Sequence, residues 1–207
     1  MIEKICNFLT NKIQKKMPEV NEERAEIINY GLQLIIGEIP KIFIIFIIAY
    51  FFGVFRLTLL AFLFVFPYRA VSGGTHLHSH IGCIIATSIF YIGNAYLSGL
   101  LIWYPSSLKY IAIIIIWLFS VLMITLYAPA DTKDLPILRK KERKTKRILS
   151  YIIMSTTLII GAVVKNSIIS NLLIIGTLLQ TITITKFMYK LTNNEYGYME
   201  YIKTNKV

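Results

Sequence analysis

Long apolar runs separated by short polar stretches dominate the pattern of this chain. Residues 25–68, 81–128 and 149–185 are largely apolar, and each stretch has the length of two membrane-spanning helices at about 20 residues apiece. The runs lack the 3.6-residue periodicity of amphipathic helices in soluble proteins. The pattern therefore predicts an all-α integral membrane bundle of about six transmembrane helices, forming a single domain over residues 1–207.

The first apolar stretch leaves the position of its internal turn open. One candidate is "GEIPK" at 37–41, and the other is "FGVFR" at 52–56. Ahead of this stretch, residues 1–20 predict an amphipathic helix with Ile5, Phe8 and Ile13 near one face. Such a helix lies on a membrane surface or packs against the rest of the protein, and the pattern does not separate the two.

Basic residues gather in the polar gaps and predict the orientation of the spans. Of the 22 Lys and Arg residues, five precede residue 25, eight lie within 129–147 and four follow from Lys186 onward. Cytoplasmic loops carry an excess of Lys and Arg. We therefore expect both termini, the basic loop 129–148 and the tail 186–207 to face the cytoplasm of a bacterial cell, and the protein to be multi-pass in its plasma membrane. The net charge of +11 is explained by this topology, so no nucleic-acid partner is predicted.

The segment 69–80 and the residues directly after it carry the candidate chemistry. The stretch "YRAVSGGTHLHSHIGC", residues 68–83, contains all three histidines and one of the two cysteines. An imidazole moves protons at neutral pH, and a neighbouring imidazole converts a thiol into a nucleophilic thiolate. These residue types predict a cysteine–histidine pair built on Cys83.

Spacing leaves the choice of histidine open. On an uninterrupted helix, His76 and Cys83 share a face but are separated by about 10 Å along the axis. His80 lies three residues before Cys83 and would contact it on any helix, so spacing slightly favours His80. The flexible pair Gly73–Gly74 would instead allow His76 to fold back over the start of the helix.

Two other functions compete with a peptidase. His76, His78 and His80, with Cys83, are ligand types for zinc, although alternate residues diverge on a helix and would need an extended backbone. A non-enzymatic transporter or exporter should carry buried charge within several spans. The spans after residue 56 are almost free of charge, and Glu38 and Lys41 are the features that favour a transporter.

Two stretches together, "YRAVSGGTHLHSHIGC" at 68–83 and "YAPADTKDLPI" at 127–137, resemble the accessory gene regulator B family. Its members are bacterial membrane cysteine endopeptidases, thiol proteases that process the precursors of quorum-sensing peptides. The family pattern of an Arg, a Gly, a His and a Cys seven residues after that His corresponds to Arg69, Gly74, His76 and Cys83. The resemblance extends over nearly the whole chain.

The resemblance implies that His76, rather than His80, serves Cys83 as the catalytic base. It implies a small pro-peptide substrate with an amphipathic leader and an acidic C-terminal tail, whose removal through a Cys83 thioester allows cyclisation to a thiolactone or lactone. Arg69, Gly73 and Gly74 would support the substrate or the transition state. Basic residues of the loop would attract the acidic tail or serve only as a topology signal, namely Arg139, Lys140, Lys141 and Arg143. No cofactor or metal is expected, membrane lipid is a partner, and a homodimer is compatible with a bundle of this size.

Overall fold

The computed structural model describes residues 2–17, 19–77, 79–101, 106–133 and 136–204, and the secondary structure in these ranges is helical apart from two isolated bridges. This confirms the prediction of an all-α fold. His78, and the side chain of His80, lie outside the described residues. The helices are α1 (Ile2–Lys16), α2 (Glu22–Phe51), α3 (Phe55–Ser72), α4 (His80–Leu100), α5 (Ser106–Tyr127), α6 (Lys140–Val163), α7 (Ser167–Thr183), α8 (Lys186–Leu191) and α9 (Gly197–Thr204).

Four of the described helices are long and apolar enough to cross a membrane. They cover Phe55–Ser72, Ile81–Leu100, Ser107–Tyr127 and Lys140–Val163, and Ser167–Thr183 is a shorter apolar helix. Many of their large apolar side chains are exposed, among them Leu63, Ile89, Ile114, Leu118 and Ile159. An exposed apolar surface on this scale is typical of helices that face lipid.

The chain divides into two compact units, residues 1–48 and 49–207. The first contains α1 and most of α2, and the Asn29 side-chain amide donates a hydrogen bond of 2.5 Å to the Asn7 side-chain oxygen between these helices. On α1, Ile5 and Phe8 are exposed, as expected for an amphipathic helix that presents an apolar face.

The turn that the sequence left open lies at residues 52–54. Helix α2 continues through Pro40 to Phe51, and α3 begins at Phe55. The turn closes through the Val54 amide, which donates to the Ala49 carbonyl at 3.0 Å, while Gly53 adopts a φ of +71°. The stretch 37–41 is therefore helical.

In the second unit, α7 is the central helix and packs against α3, α4, α5 and α6. Its buried residues include apolar side chains and several polar ones, namely Ser170, Asn171, Thr177, Gln180, Thr181 and Thr183. Polar groups inside a membrane bundle need internal partners. The Thr181 hydroxyl lies 3.0 Å from the Tyr68 hydroxyl and 2.8 Å from that of Ser120, so one residue of α7 joins α3 to α5.

Contacts at the two ends of this unit show that α3 to α7 alternate in direction. At one end, the Tyr96 hydroxyl on α4 donates to the Phe52 carbonyl before α3, and Lys109 at the start of α5 donates to the Ala162 carbonyl near the end of α6. At the other end, the segments after α3, α5 and α7 meet. The histidine-containing segment lies at this second end.

Candidate active site

The segment after α3 leaves the helix at a pair of glycines. Gly73 and Gly74 have φ values of +74° and +145°, a region that other L-residues rarely adopt. Gly73 forms a parallel bridge with Ala130, and a Cβ at position 73 would collide with the Ala130 carbonyl. The Gly74 amide donates to the same carbonyl at 3.0 Å, so the chain turns against the backbone of the loop after α5.

Arg69 and the end of α7 hold the next residues of this segment. The Arg69 guanidinium donates to the Thr75 carbonyl at 2.8 Å and to the Gln180 side-chain oxygen at 3.3 Å. The Gln180 amide in turn donates to the Gly73 carbonyl at 2.9 Å, and the Thr75 amide donates to the Thr183 carbonyl at 3.2 Å. The backbone of Gly73, Gly74 and Thr75, directly before His76, is therefore held by hydrogen bonds to Arg69, Ala130 and α7.

Cys83 lies in the first turn of α4. Ser79 caps this helix by accepting a hydrogen bond from the Gly82 amide at 3.3 Å, and the Cys83 amide donates to the Ser79 carbonyl at 2.8 Å. The Cys83 sulfur is 4.0 Å from the Thr87 hydroxyl and is partly exposed. The N-terminal turn of a helix is a place where negative charge is stabilised.

His76 and Cys83 line one cavity of about 380 Å³, together with Arg69. Its remaining walls are mostly apolar and include Leu77, Ala86, Phe90, Tyr91, Met188 and Leu191. Because residues 73–77 are not helical, the separation expected on an uninterrupted helix does not apply to His76. The diglycine turn brings His76 to the cavity that Cys83 also lines. The zinc hypothesis also requires His78 and His80, whose side chains lie outside the described part of the chain, so it stays a prediction.

A family model described as Accessory gene regulator B matches residues 6–184. The chain belongs to this family. An accessory gene regulator protein B from Staphylococcus epidermidis is 30% identical over 170 residues, which cover 82% of this chain and 84% of the relative. The corresponding protein from Staphylococcus aureus (strain bovine RF122 / ET3-1) is 28% identical over 88% of this chain and 97% of its own length. A putative AgrB-like protein from Clostridium acetobutylicum is 24% identical over 100% of this chain and 96% of its own length. No solved structure matches this chain.

Membership in the accessory gene regulator B family confirms the resemblance found in the sequence. Together with the apolar helices, it makes this a multi-pass membrane protein with a role in quorum sensing. The family implies a role in processing an autoinducing peptide from its precursor. The transporter alternative and the homodimer stay predictions.

Sequence reasoning missed two residues of α7 that contact the histidine segment of this AgrB-family protein, Gln180 and Thr183. Gln180 is fully buried, and Thr183 is almost so. A signal was present in the sequence, because polar residues within an apolar helix of near-spanning length usually face the interior of the bundle. Their partners could not be read from the sequence, because those partners lie more than 100 residues away.

The basic residues at the start of α6 differ in their surroundings. Arg139, Lys140 and Lys141 are exposed. Arg143 instead forms an ion pair of 2.9 Å with Asp131, whose side chain is only 1% exposed, and it donates to the Ile137 and Pro129 carbonyls. Arg143 therefore braces the loop after α5 in this AgrB-family chain, in addition to any contact with a substrate.

Asp131 joins this loop to the chain after α8. One Asp131 carboxylate oxygen accepts hydrogen bonds from the Ile137 amide at 2.8 Å and the Tyr198 amide at 3.1 Å. The Asp131 carbonyl accepts from the Tyr189 hydroxyl at 3.1 Å. Burial, with the nearby Tyr196 and Asp131, raises the pKa of the Tyr189 phenol above its usual value, and burial likewise raises the pKa of Tyr196. Both phenols are therefore neutral at physiological pH.

Proposed function

We propose that this protein is a membrane cysteine endopeptidase that removes the C-terminal tail of a small quorum-sensing pro-peptide. The observation that carries the proposal is the shared cavity of His76 and Cys83 in a member of the accessory gene regulator B family. A thiol and an imidazole in one partly enclosed, mostly apolar cavity are the elements of a nucleophile–base pair. The substrate is the precursor peptide that the family implies, with an amphipathic leader and an acidic tail.

In the first half of the reaction, the Cys83 sulfur attacks the carbonyl carbon of the peptide bond between the central segment and the tail. His76 accepts the thiol proton and then delivers it to the leaving amine of the tail. The S–C bond forms, the C–N bond breaks, and the product is an acyl-enzyme thioester.

In the second half, a Cys within the peptide attacks the thioester carbonyl and displaces the Cys83 sulfur, which closes a thiolactone ring and regenerates the thiol. A Ser in that position gives a lactone. Exchange of one thioester for another is nearly isoenergetic, so this step needs no further energy source. Exclusion of water is the main requirement, because hydrolysis would release a linear peptide, and the apolar cavity walls serve this purpose.

Arg69, Gly73 and Gly74 support the reaction by holding the histidine segment in place. Arg69 also lines the cavity, where its guanidinium provides positive charge beside a substrate carbonyl or carboxylate. Arg139, Lys140 and Lys141 attract the acidic tail from the exposed start of α6, with a smaller contribution from Arg143 because it is already paired with Asp131.

The proposed membrane arrangement has six spans, with α2 and α7 added to the four helices that are both long and apolar enough to cross a membrane. Helix α2 has 30 residues and α7 has 17, and each contributes its apolar part to a span. Both termini and the active site face the cytoplasm, and α1 lies on the membrane surface. The alternating directions of α3 to α7 and the high Lys and Arg content after α5 and α7 support this orientation.

Substitution at Cys83 and at the histidines tests this proposal. We expect Cys83→Ala to abolish cleavage of a purified precursor in proteoliposomes, because no nucleophile remains, and His76→Ala to lower the rate by a factor on the order of 100 or more. His80→Ala is the matched control and should retain cleavage. Cleavage is measured by mass spectrometry of the released tail. Cleavage by Cys83→Ala at the wild-type rate contradicts the proposal, and a reversed result for the two histidines moves the base to His80.

A further inference from the structure

The C-terminal segment, residues 186–204, forms part of the wall of the candidate active site. Met188, Leu191 and Thr192 line the cavity that contains His76 and Cys83. The family model ends at residue 184, so these residues lie outside the region that identifies the family. The sequence alone predicted only a cytoplasmic tail here. Contacts between this segment and the reactive loop therefore carry information that neither the family motif nor the hydropathy pattern contains.

One side chain of this segment binds the backbone of His76 directly. The Asn194 side-chain amide donates a hydrogen bond of 2.6 Å to the His76 carbonyl. The same nitrogen lies 2.8 Å from the Thr192 hydroxyl and 3.2 Å from the Thr192 carbonyl. The Asn194 backbone amide donates to the Tyr189 carbonyl at 2.8 Å. The amide is therefore oriented by its own segment before it reaches His76.

The segment that carries Asn194 is itself anchored to the loop after α5. The Tyr196 ring stacks on Tyr189 with a centroid separation of 3.9 Å and on Tyr127 at 5.5 Å. The Tyr196 hydroxyl donates to the Ile184 carbonyl at 2.8 Å. Gly197 lies against Thr132, where a Cβ would collide with the Thr132 carbonyl. A side chain on such a base can hold a partner in a narrow range of positions.

Several backbone contacts of the histidine segment act on the residues before His76. Ala130 holds Gly74, and Arg69 and Thr183 hold Thr75. Asn194 acts at His76 itself, on the carbonyl that leads toward Leu77 and the start of α4. The direction of the Cα–Cβ bond at position 76 depends on both peptide planes that flank it. A contact on the second plane therefore adds the second restraint on the direction of the Cα–Cβ bond, from which the imidazole extends.

We infer that Asn194 is a positioning residue, which holds the His76 backbone so that the imidazole faces the Cys83 thiol. The inference rests on the proposed function, since it assigns Asn194 a part in that reaction. Asn194 touches neither the reacting atoms nor the peptide in this assignment. Its loss should therefore slow the chemical step and leave substrate binding almost unchanged.

Paired substitutions at two adjacent asparagines provide the test. Asn194→Asp replaces the donor nitrogen by a carboxylate oxygen, which cannot donate to the His76 carbonyl. Asn193→Asp is the matched control, because Asn193 is exposed, and Asp tolerates its φ of +52°. We expect Asn194→Asp and the uncharged variant Asn194→Ala to lower kcat for precursor cleavage about tenfold or more, with KM within about twofold of wild type. Asn193→Asp should match the wild type in both.

A second measurement, without peptide, separates this inference from the proposed function. In a Cys6→Ser background, the rate of alkylation of Cys83 by iodoacetamide reports the reactivity of the thiol alone. His76→Ala and Asn194→Ala should both slow alkylation several-fold, while Asn193→Asp should not. If the wild-type protein cuts no precursor but alkylation is slowed in His76→Ala and Asn194→Ala, the proposed peptidase function is overturned and the positioning role of Asn194 is retained.

The opposite outcome is that the unmodified protein cuts the precursor and both Asn194 variants keep its kcat and its alkylation rate. That result overturns the inference about Asn194 and leaves the proposed peptidase function intact. A rise in KM alone, with kcat unchanged, also overturns it, because that result assigns Asn194 to peptide binding. Limited proteolysis of each variant in proteoliposomes checks that the C-terminal segment is still folded. If Asn194→Asp does not accumulate in the membrane, Asn194→Ala, which adds no charge, decides the question.

Discussion

Gly73 and Gly74 show how much of the site depends on single backbone positions. A Cβ at Gly74 would lie 2.7 Å from the Thr183 hydroxyl and 3.3 Å from the Arg69 guanidinium. A larger residue would therefore push against two residues that hold the segment, Arg69 through its guanidinium and Thr183 through its carbonyl. The sequence resemblance matched this glycine to the family pattern, and the structure supplies a physical reason for a glycine at this position. Side chains with a Cβ would both strain the backbone and separate it from its anchors.

A glycine-to-alanine pair makes this argument quantitative. Gly73→Ala places a methyl group against the Ala130 carbonyl at a φ of +74°, and we expect it to lower the free energy of unfolding by about 1–3 kcal/mol and to abolish precursor cleavage. Gly93 lies inside α4, and a Cβ added there would meet nothing within 4 Å, so Gly93→Ala should be neutral or stabilising by up to about 1 kcal/mol. Thermal unfolding in detergent and the cleavage assay measure both effects.

Equal behaviour of the two alanine variants would contradict this account of the diglycine turn. Loss of cleavage in Gly73→Ala with an unchanged free energy of unfolding would contradict the stability part of the prediction only. It would mean that the segment relaxes without cost to stability but no longer brings His76 to the cavity of Cys83.

At the scale of elements, hydropathy predicted the spans well and their polar extensions poorly. The apolar stretch 81–128, expected to form two spans, corresponds to α4 (His80–Leu100) and α5 (Ser106–Tyr127). The apolar stretch 149–185 begins inside α6, which itself begins nine residues earlier at Lys140, because its basic first turns are helical although they are not apolar. Helix α2 likewise continues through Pro40, because membrane-spanning helices tolerate an interior proline.

Some residues of the candidate site could be predicted from one short stretch of sequence, and others could not because they come from distant parts of the chain. Arg69, Gly73, Gly74, His76 and Cys83 lie within 15 consecutive residues, and a motif can contain them. Gln180, Thr183 and Asn194 reach that motif from the far end of the chain. No spacing rule connects residues so distant, because their proximity depends on how α7 and the C-terminal segment pack.

The pair of Arg143 and Asp131 gives an element-scale prediction for the junction of α6 with the loop before it. Arg143→Ala leaves the Asp131 carboxylate, 1% exposed, without its charged partner, and we expect a loss of about 3–5 kcal/mol in the free energy of unfolding. Lys144→Ala, at an exposed neighbouring position, should stay within about 0.5 kcal/mol of wild type. Adding Asp131→Asn to Arg143→Ala should recover part of the loss, because no buried charge remains unpaired.

Unfolding in detergent measures these variants, and the cleavage assay separates the two roles of Arg143. An unchanged unfolding temperature for Arg143→Ala, together with weaker precursor binding, would contradict the structural role and assign Arg143 mainly to the peptide tail.

At the scale of the whole molecule, the histidine segment, the loop after α5 and the C-terminal segment all meet at one end of the second unit. Gly73 pairs with Ala130, Thr75 with Thr183, and Asn194 with His76. Three segments from separate parts of the sequence can meet there only if an even number of helices separates them. The helix pairs α4–α5 and α6–α7 satisfy this condition, which is why the site and the basic loop are expected on the same side of the membrane.

Single cysteines in a Cys6→Ser, Cys83→Ser background test that arrangement. Ser107→Cys at the start of α5 and Ser167→Cys at the start of α7 are exposed positions at the end that we expect to face outward. We expect both to react with an impermeant maleimide added to intact cells. Thr145→Cys on α6 and Thr204→Cys on α9 are exposed positions at the opposite end, and they should react only after the cells are permeabilised. The reason for this expectation is the concentration of Lys and Arg at that end, because cytoplasmic loops carry an excess of these residues. The inverse pattern would place the thiol and the imidazole outside the cell, where the acidic tail of a newly made precursor would not reach them. Labelling of Ser107→Cys without Ser167→Cys would mean that α5 or α6 does not cross the membrane, because these two helices lie between the two positions.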